Sequence, residues 1–175
     1  MNHLIEKLKQ LDQQLFMRIN GRFHRSFLNF WFYHLTHLGG ARFTILSILF
    51  IWWLCPEPWS TIGLQAGVAL AVSHIPVALS KKIYPRIRPY LILPGTNTFR
   101  NPLTDHSFPS GHTTAIFSAT VPFMVAQPGL VLILGPIALL VAISRIYLGL
   151  HYPSDVLAGV VIGTSVALGT VALWT

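Results

Sequence analysis

The residues whose types could do chemistry lie in three short segments. The first, KKIYPRIRPY, places Lys81 and Arg88 seven positions apart. That spacing is two turns and one face of a continuous helix, but Pro85 and Pro89 favour an irregular, stiffened end. Two cations suit an anion with several oxygens, because Arg offers a planar fork and Lys a point charge. The alternative is a basic cluster that ends a membrane span with its charges at the interface.

The second segment is SFPSGHTT, residues 107–114. Gly111 lets the backbone approach a ligand closely, and a helix is predicted to begin near His112. Free backbone N–H groups at a helix N-terminus bind anions, and the Ser110 hydroxyl adds a donor. His112 then lies beside the anion. The alternative is a serine N-cap followed by an incidental histidine.

The third segment is SRIYLGLHYPSDV, residues 144–156. Arg145 ends one apolar run, His151 lies in the connecting turn, and Asp155 opens the next run. Asp155 is close enough in sequence to hydrogen-bond one ring nitrogen of His151 and fix its tautomer. The other nitrogen is then free to attack, as in covalent catalysis. The alternative is that Asp155 caps a helix and His151 is an interfacial histidine, and an Asp can do both.

The composition around these segments is that of an integral membrane protein. Of 175 residues, 53% are hydrophobic and 10% are charged, whereas soluble proteins carry about 25% charged residues. No Asp, Glu, Lys or Arg occurs at 58–80, at 106–144 or after Asp155. Each gap is long enough for a spanning helix, which needs roughly 20 residues. We therefore predict an all-α integral membrane protein, one domain over 1–175, with a bundle of about five to six transmembrane helices.

The predicted spans are 43–55, 61–80, 111–125, 130–146 and 156–174. Residues 27–38 are apolar and aromatic, but they are short for a crossing and contain two histidines. An interfacial or tilted helix is favoured there over a sixth span. Residues 1–25 predict an amphipathic helix that lies on the membrane surface or docks on the bundle. Its apolar residues at helical spacing are Leu4, Ile5, Leu8, Leu11, Leu15 and Phe16.

Alternating these spans places the three segments and the N-terminal region on one side of the membrane. All 12 Lys and Arg then fall on that side, Arg100 among them. The positive-inside rule makes this side cytoplasmic. The rule is weakened because several of these charges serve chemistry, and a sixth span would move the N-terminal ones across. We expect a multi-pass protein of the cell membrane and leave the face of the site open.

Taken together, the motifs resemble the complete signature of the type-2 phosphatidic-acid phosphatase superfamily. That superfamily includes membrane lipid phosphatases, undecaprenyl-diphosphate phosphatases and vanadium haloperoxidases. The resemblance covers about 81–155, the region of the catalytic motifs. The matching residues are Lys81, Arg88 and Pro89, then Pro109, Ser110, Gly111 and His112, then Ser144, Arg145, His151 and Asp155.

The resemblance implies a role for each of these side chains. His151 is the nucleophile, is oriented by Asp155, and forms a phosphohistidine. His112 protonates the leaving oxygen and then activates water. The phosphoryl oxygens are held by Lys81, Arg88, Arg145 and the Ser110–Gly111 turn. No cofactor and no metal is expected, since Asp105 and Asp155 are the only acids near the site and make no cluster suited to Mg²⁺.

The substrate class is a membrane lipid phosphate. Undecaprenyl diphosphate, phosphatidic acid and phosphatidylglycerol phosphate all fit. The alternatives are a haloperoxidase, which the high apolar content disfavours, and a protein that binds or transports lipid phosphate without hydrolysis, which does not need both His112 and His151. Nucleic acid is not an expected partner despite the net charge of +7. The small residues Gly159 and Gly163 could mediate a homodimer, although close packing within the bundle is favoured.

Overall fold

The computed structural model describes residues 2–22, 25–98 and 104–174. Within these ranges the regular structure is helical, without a strand. Arg100, which the sequence placed with the other basic residues, lies outside them. The α-helices are α1 Asn2–Arg22, α2 Ser26–Thr36, α3 Ala41–Leu54, α4 Trp59–Ile83, α5 Pro89–Ile92, α6 Gly111–Ala126, α7 Val131–Tyr147 and α8 Pro153–Leu173, with 3-10 turns at His37–Gly39 and Pro128–Leu130.

Three helical stretches are long and apolar enough to cross a membrane: Trp59–Ile83, Pro128–Tyr147 and Pro153–Leu173. They coincide with three of the predicted spans. The predicted span 43–55 is instead one limb of a helix pair, Ser26–Gly39 and Ala41–Leu54, bent by 54°. By length and composition the described residues give three spans, or four if the bent pair is one. The segment 27–38 is the other limb of that pair.

Helix α6 lies at the centre of the bundle, where it packs on α4, α7 and α8. It has 16 residues, fewer than a lipid-facing span needs. Glycines of α8 let α6 and α8 approach each other closely. A Cβ on Gly159 would lie 2.8 Å from the carbonyl oxygen of Ser110, and one on Gly163 would lie 2.6 Å from that of Thr114. Gly159 and Gly163 therefore pack against α6 of the same chain.

Helix α1 contacts the bundle through one member of the predicted apolar stripe and the polar residues beside it. Phe16 is buried against Tyr152, Asp12 and Asn20 are also buried, and the leucines and Ile5 stay exposed at 39% to 64% of their accessible area. The Asn20 amide donates hydrogen bonds of 2.8 Å to the carbonyls of Asn97 and Tyr147. Phe16 and polar contacts thus hold α1 on the bundle, and the rest of the apolar stripe is left exposed.

The close α6–α8 packing predicts a stability difference between two alanine substitutions. In Gly163→Ala the new methyl group meets backbone that cannot rotate away, so we expect a loss of about 1–3 kcal/mol. Gly169 lies on the same helix with nothing within 4 Å of a Cβ. Gly169→Ala should leave stability unchanged or raise it by up to about 1 kcal/mol. Thermal unfolding in detergent measures both, and equal midpoints for the two variants would contradict this packing.

Candidate active site

The three segments meet at one end of the bundle, where α4 ends, α6 begins and the chain passes from α7 to α8. After α4 the backbone runs irregularly to Arg88, as the prolines predicted. Two backbone hydrogen bonds join the segments. The Ser107 N–H donates to the Arg86 carbonyl at 2.8 Å, and the Ser110 N–H donates to the Asp155 carbonyl at 3.0 Å. Each motif therefore fixes the position of another.

His151 is buried at the centre of this meeting point, with 1% of its area exposed. Its Nδ1 lies 2.7 Å from the carbonyl oxygen of Ser107, and its Nε2 lies 3.1 Å from Nη1 of Arg88. A carbonyl can only accept, so Nδ1 carries the proton. Nε2 is then the unprotonated nitrogen, and its lone pair accepts the hydrogen bond from Arg88.

Asp155 contacts His151 less directly than the sequence suggested. Its Oδ2 lies 3.8 Å from Nδ1 of His151, and the Ser107 carbonyl takes the place expected for the carboxylate. The reason is that Oδ2 already accepts hydrogen bonds from the Ser107 hydroxyl at 2.5 Å and from the Tyr152 N–H at 2.9 Å. Asp155 thus caps α8 and acts on the imidazole through its charge.

Arg88 and Lys81 meet at a carboxylate. Arg88 is 1% exposed and donates to Oδ1 of Asp105 at 2.5 Å, while the Lys81 ammonium binds Oδ2 of the same residue. Burial raises the pKa of Asp105, but its contacts with Lys81 and Arg88 outweigh this and lower the pKa to about 2. An ionised carboxylate therefore occupies the position where the two cations were expected to hold an anion.

Arg145 is buried and incompletely bonded. Its Nη1 donates to the Thr36 hydroxyl at 2.6 Å, whereas Nε and Nη2 have no hydrogen-bond partner among the residues that the structure describes. Buried donors without an acceptor are costly, and more so when charged. The Arg145 charge acts on both His112 and His151. Two free donors beside these histidines can take the oxygens of a bound anion.

The start of α6 is open on its ligand side. The Ser110 hydroxyl accepts from the hydroxyl of Thr113 at 2.9 Å and makes no cap hydrogen bond to the helix. A Cβ on Gly111 would meet nothing within 4 Å. The first N–H groups of the helix are thus left for another acceptor. His112 lies against Gly39, where a Cβ would come within 2.7 Å of the His112 carbonyl oxygen.

An apolar cavity of about 690 Å³ leads from this site into the bundle. It lies between α3, α4 and α6, with Ile45, Ile48, Leu49, Leu70 and Val77 among its walls. The polar end of the cavity is formed by Lys81, Arg88, Asp105, Gly111, His112 and His151. A molecule that occupied the whole cavity would have an anionic end and a hydrocarbon end.

Several contacts here involve residues that sequence reasoning did not single out: Asp12, Thr36, Gly39, Arg86 and Ser107. One signal for them was available in the composition. The chain has five acidic residues, and three of these, Asp12, Asp105 and Asp155, pair with cations at this end of the bundle. In so apolar a chain, each acid was a candidate partner for a buried cation.

Paired cations, an unprotonated imidazole nitrogen and an open helix N-terminus beside an apolar cavity suit the binding of a lipid phosphate ester. The chain belongs to the PAP2 superfamily, because the model of that family matches residues 62–175. The expected family is thereby confirmed. Lys81, Arg88, His112 and His151 all lie within the matched range.

Relatives and solved structures agree with this assignment. An undecaprenyl-diphosphatase of Sulfolobus acidocaldarius is 31% identical over 64% of this chain and 55% of that protein. A putative undecaprenyl-diphosphatase of Escherichia coli is 31% identical over 73% of this chain and 63% of that protein. The chain thus spans about half to two-thirds of these relatives' length. The crystal structure of a transmembrane PAP2-type phosphatidylglycerolphosphate phosphatase from Bacillus subtilis has a TM-score of 0.79 at 25% identity, covering 95% of this chain and 86% of that one.

The surroundings of His151 predict an unusual titration. Burial lowers its pKa to about 4, and Arg145 and Arg88 add to this effect while Asp155 opposes it. An unfolded histidine titrates near 6.5, so the unfolded chain binds this proton more readily. Stability should fall as the pH drops from about 6.5 to about 4. Nuclear magnetic resonance of labelled histidine in detergent, with His151→Gln to assign the signal, should give a midpoint near 4. A midpoint near 6.5 would refute the buried, cation-flanked setting.

Proposed function

We propose that the protein is an integral membrane lipid phosphatase that releases the terminal phosphate of a lipid phosphate or diphosphate. The observation that carries this proposal is the unprotonated Nε2 of His151, which accepts from Arg88 at the polar end of an apolar cavity. Undecaprenyl-diphosphatases among the relatives, and a phosphatidylglycerolphosphate phosphatase among the solved structures, support the same class. A protein that only bound the lipid would not need a buried imidazole whose unprotonated nitrogen can attack once Arg88 turns to the substrate.

Substrate binding replaces the carboxylate of Asp105. Lys81 and Arg88 release it and take two phosphoryl oxygens, and the unpartnered donors of Arg145 take a third. The N–H groups at the start of α6 complete the cradle. Phosphoryl transfer depends mostly on such positioning and charge stabilisation. These donors are side-chain cations and backbone groups, so the proposed reaction is independent of a metal ion.

The first chemical step breaks the bond between phosphorus and the lipid oxygen. Nε2 of His151 attacks phosphorus while His112 donates a proton to the departing lipid oxygen. His151 thereby gains a positive charge, which the carboxylate of Asp155 and the carbonyl of Ser107 stabilise. The product is a phosphohistidine and a lipid with one phosphate fewer.

The second step returns the protein to its starting state. His112, now neutral, accepts a proton from water as the water oxygen attacks phosphorus. The bond between nitrogen and phosphorus breaks, inorganic phosphate leaves, and the pair of electrons returns to Nε2 of His151. His112 has then given up and regained one proton, His151 has formed and lost one bond to phosphorus, and water is the only further reactant consumed.

The cavity favours a lipid with one long chain. Its volume of about 690 Å³ is that of a pocket for a single drug-sized ligand, roughly 300–1,000 Å³. It matches the first part of one hydrocarbon chain, the rest of which would extend into the bilayer. We therefore place a polyprenyl diphosphate such as undecaprenyl diphosphate ahead of phosphatidic acid and phosphatidylglycerol phosphate. Helices long and apolar enough to span a membrane support a reaction at a lipid bilayer, and we propose the cell membrane.

Phosphate release in the presence of EDTA tests the proposed reaction. Wild type in detergent should release phosphate from undecaprenyl diphosphate faster than from phosphatidic acid or phosphatidylglycerol phosphate. His151→Ala should abolish release, and His112→Asn should slow it about 10²–10⁴-fold because a general acid is lost. His3→Ala, an exposed change on α1, is the control. Well-folded wild type that releases phosphate from none of the three lipids would exclude the lipid phosphatase and leave lipid binding without hydrolysis.

Filling the cavity should discriminate between long and short substrates. Ala71 lines the cavity, so Ala71→Phe displaces part of the lipid chain. Loss of two buried methylenes costs about 1.6 kcal/mol, which corresponds to about a tenfold rise in KM. The rise should appear with undecaprenyl diphosphate and be absent with a short-chain prenyl diphosphate. Leu132→Phe, at an exposed position on α7, is the matched control. Equal effects on both chain lengths would show that the lipid tail lies elsewhere.

A further inference from the structure

A second charged cluster lies behind Asp155, on the side away from His151. It is centred on Arg86, which lies in the irregular segment between α4 and α5. Nη1 of Arg86 donates to Oδ1 of Asp155 at 2.7 Å, and Nη2 donates to Oδ2 of Asp12 at 2.6 Å. The guanidinium carbon lies 3.9 Å from the centre of the Tyr152 ring. Two carboxylates and an aromatic face thus hold a single arginine.

Asp12 does more than neutralise Arg86. Its Oδ1 accepts the backbone N–H of Ser154 at 2.9 Å, and its Oδ2 accepts the Ser154 hydroxyl at 2.6 Å. Ser154 lies in the first turn of α8, so Asp12 closes a helix end whose N–H groups have no partner within the helix. One carboxylate on α1 therefore fixes both the arginine and the helix that carries Asp155.

These contacts form a continuous path to the nucleophile. Arg86 holds one oxygen of Asp155, and the other oxygen of Asp155 accepts from the hydroxyl of Ser107. The carbonyl of Ser107 then accepts from Nδ1 of His151. Neither Asp12 nor Arg86 contacts Lys81, Arg88 or Arg145 in the described hydrogen bonds and ion pairs. The path therefore bears on the imidazole and not on the cations that hold the phosphate.

We propose that Asp12 and Arg86 are positioning residues of the catalytic site, which act through Asp155 on His151. This rests on the proposed phosphatase reaction, in which His151 becomes positively charged. Arg86 holds the Asp155 carboxylate in place, and Asp12 balances the charge of Arg86 so that Asp155 keeps its hold on the imidazolium. Asp12 lies outside residues 62–175, so helix α1 adds a catalytic support that the matched family region does not contain.

Loss of Asp12 should slow the chemical step without weakening substrate binding. In Asp12→Asn the amide cannot balance the charge of Arg86, and the start of α8 loses the carboxylate that accepts the two hydrogen bonds from Ser154. Misplacement of a reacting group by about 1 Å can cost about 10²-fold. We expect the chemical step to slow about 10–100-fold while KM stays within about twofold. Arg86→Gln should slow it more, because it leaves buried Asp155 without its cation.

Single-turnover kinetics measure this step directly. Enzyme in saturating excess over undecaprenyl diphosphate gives a first-order rate constant for phosphate release, which an inactive fraction of protein does not change. Asp12→Glu should recover most of the wild-type rate constant. Glu6→Gln is the matched control, since it removes the same charge from an exposed position on the same helix. If Asp12→Asn does not fold, Arg86→Lys provides the same measurement. It keeps the positive charge but removes the two guanidinium nitrogens that bind Asp12 and Asp155.

The outcomes separate this proposal from the proposed function. A rate constant lowered at least about tenfold in Asp12→Asn with Glu6→Gln unchanged supports the positioning role. A rate constant within about twofold of wild type overturns it, as does an equal loss in Glu6→Gln or a change confined to KM. If wild type itself releases no phosphate, the phosphatase reaction is refuted, and the positioning role is refuted with it.

Discussion

Every charge buried at the site end of this bundle needs a partner of opposite sign, and this constraint arranges the site. An unpaired ion in an apolar interior costs several kcal/mol. Asp155 is fully buried and is paired with Arg86, while Arg88 is buried and paired with Asp105. Arg145 departs from the pattern with two donors unmet among the described residues. The site therefore has fixed charges around one incomplete position, to which we assign the phosphoryl group in the proposed reaction.

Close helix packing turns these pairs into a rigid geometry. Helix α6 can reach α8 because Gly159 and Gly163 carry no side chain, and it can reach the 3-10 turn because Gly39 carries none. The same approach allows the Ser110 N–H to bond the Asp155 carbonyl. Glycines that take no part in the chemistry therefore help to set the position of His112 relative to His151. Helices and charges depend on each other, since neither would hold the site alone.

The sequence predicted the family and the helical class, because charges are rare in an apolar chain and their spacing is readable. The structure brings the three predicted segments together at one end of the bundle, but the sequence could not show which partner each charge takes. The Ser107 carbonyl lies beside Nδ1 of His151 because a capping bond already uses the Asp155 oxygen that was expected there. The contact face of α1 could not be predicted either. Its apolar residues have helical spacing, yet only Phe16 among them is buried, and Asp12 and Asn20 make contacts with distant segments that leave no periodic signal. The number of spans could not be read from the sequence because α6 lies at the centre of the bundle, where a helix of 16 residues suffices.

The carboxylate of Asp105 gives the empty site a near balance of charge. Lys81 and Arg88 already hold an anion, the carboxylate of Asp105. In the proposed reaction, association is therefore an exchange of anions, in which a multiply charged phosphate displaces a singly charged carboxylate. After hydrolysis the carboxylate competes with inorganic phosphate for the same two cations. The turnover of the proposed reaction then depends on how readily phosphate and the Asp105 carboxylate replace each other on these two cations.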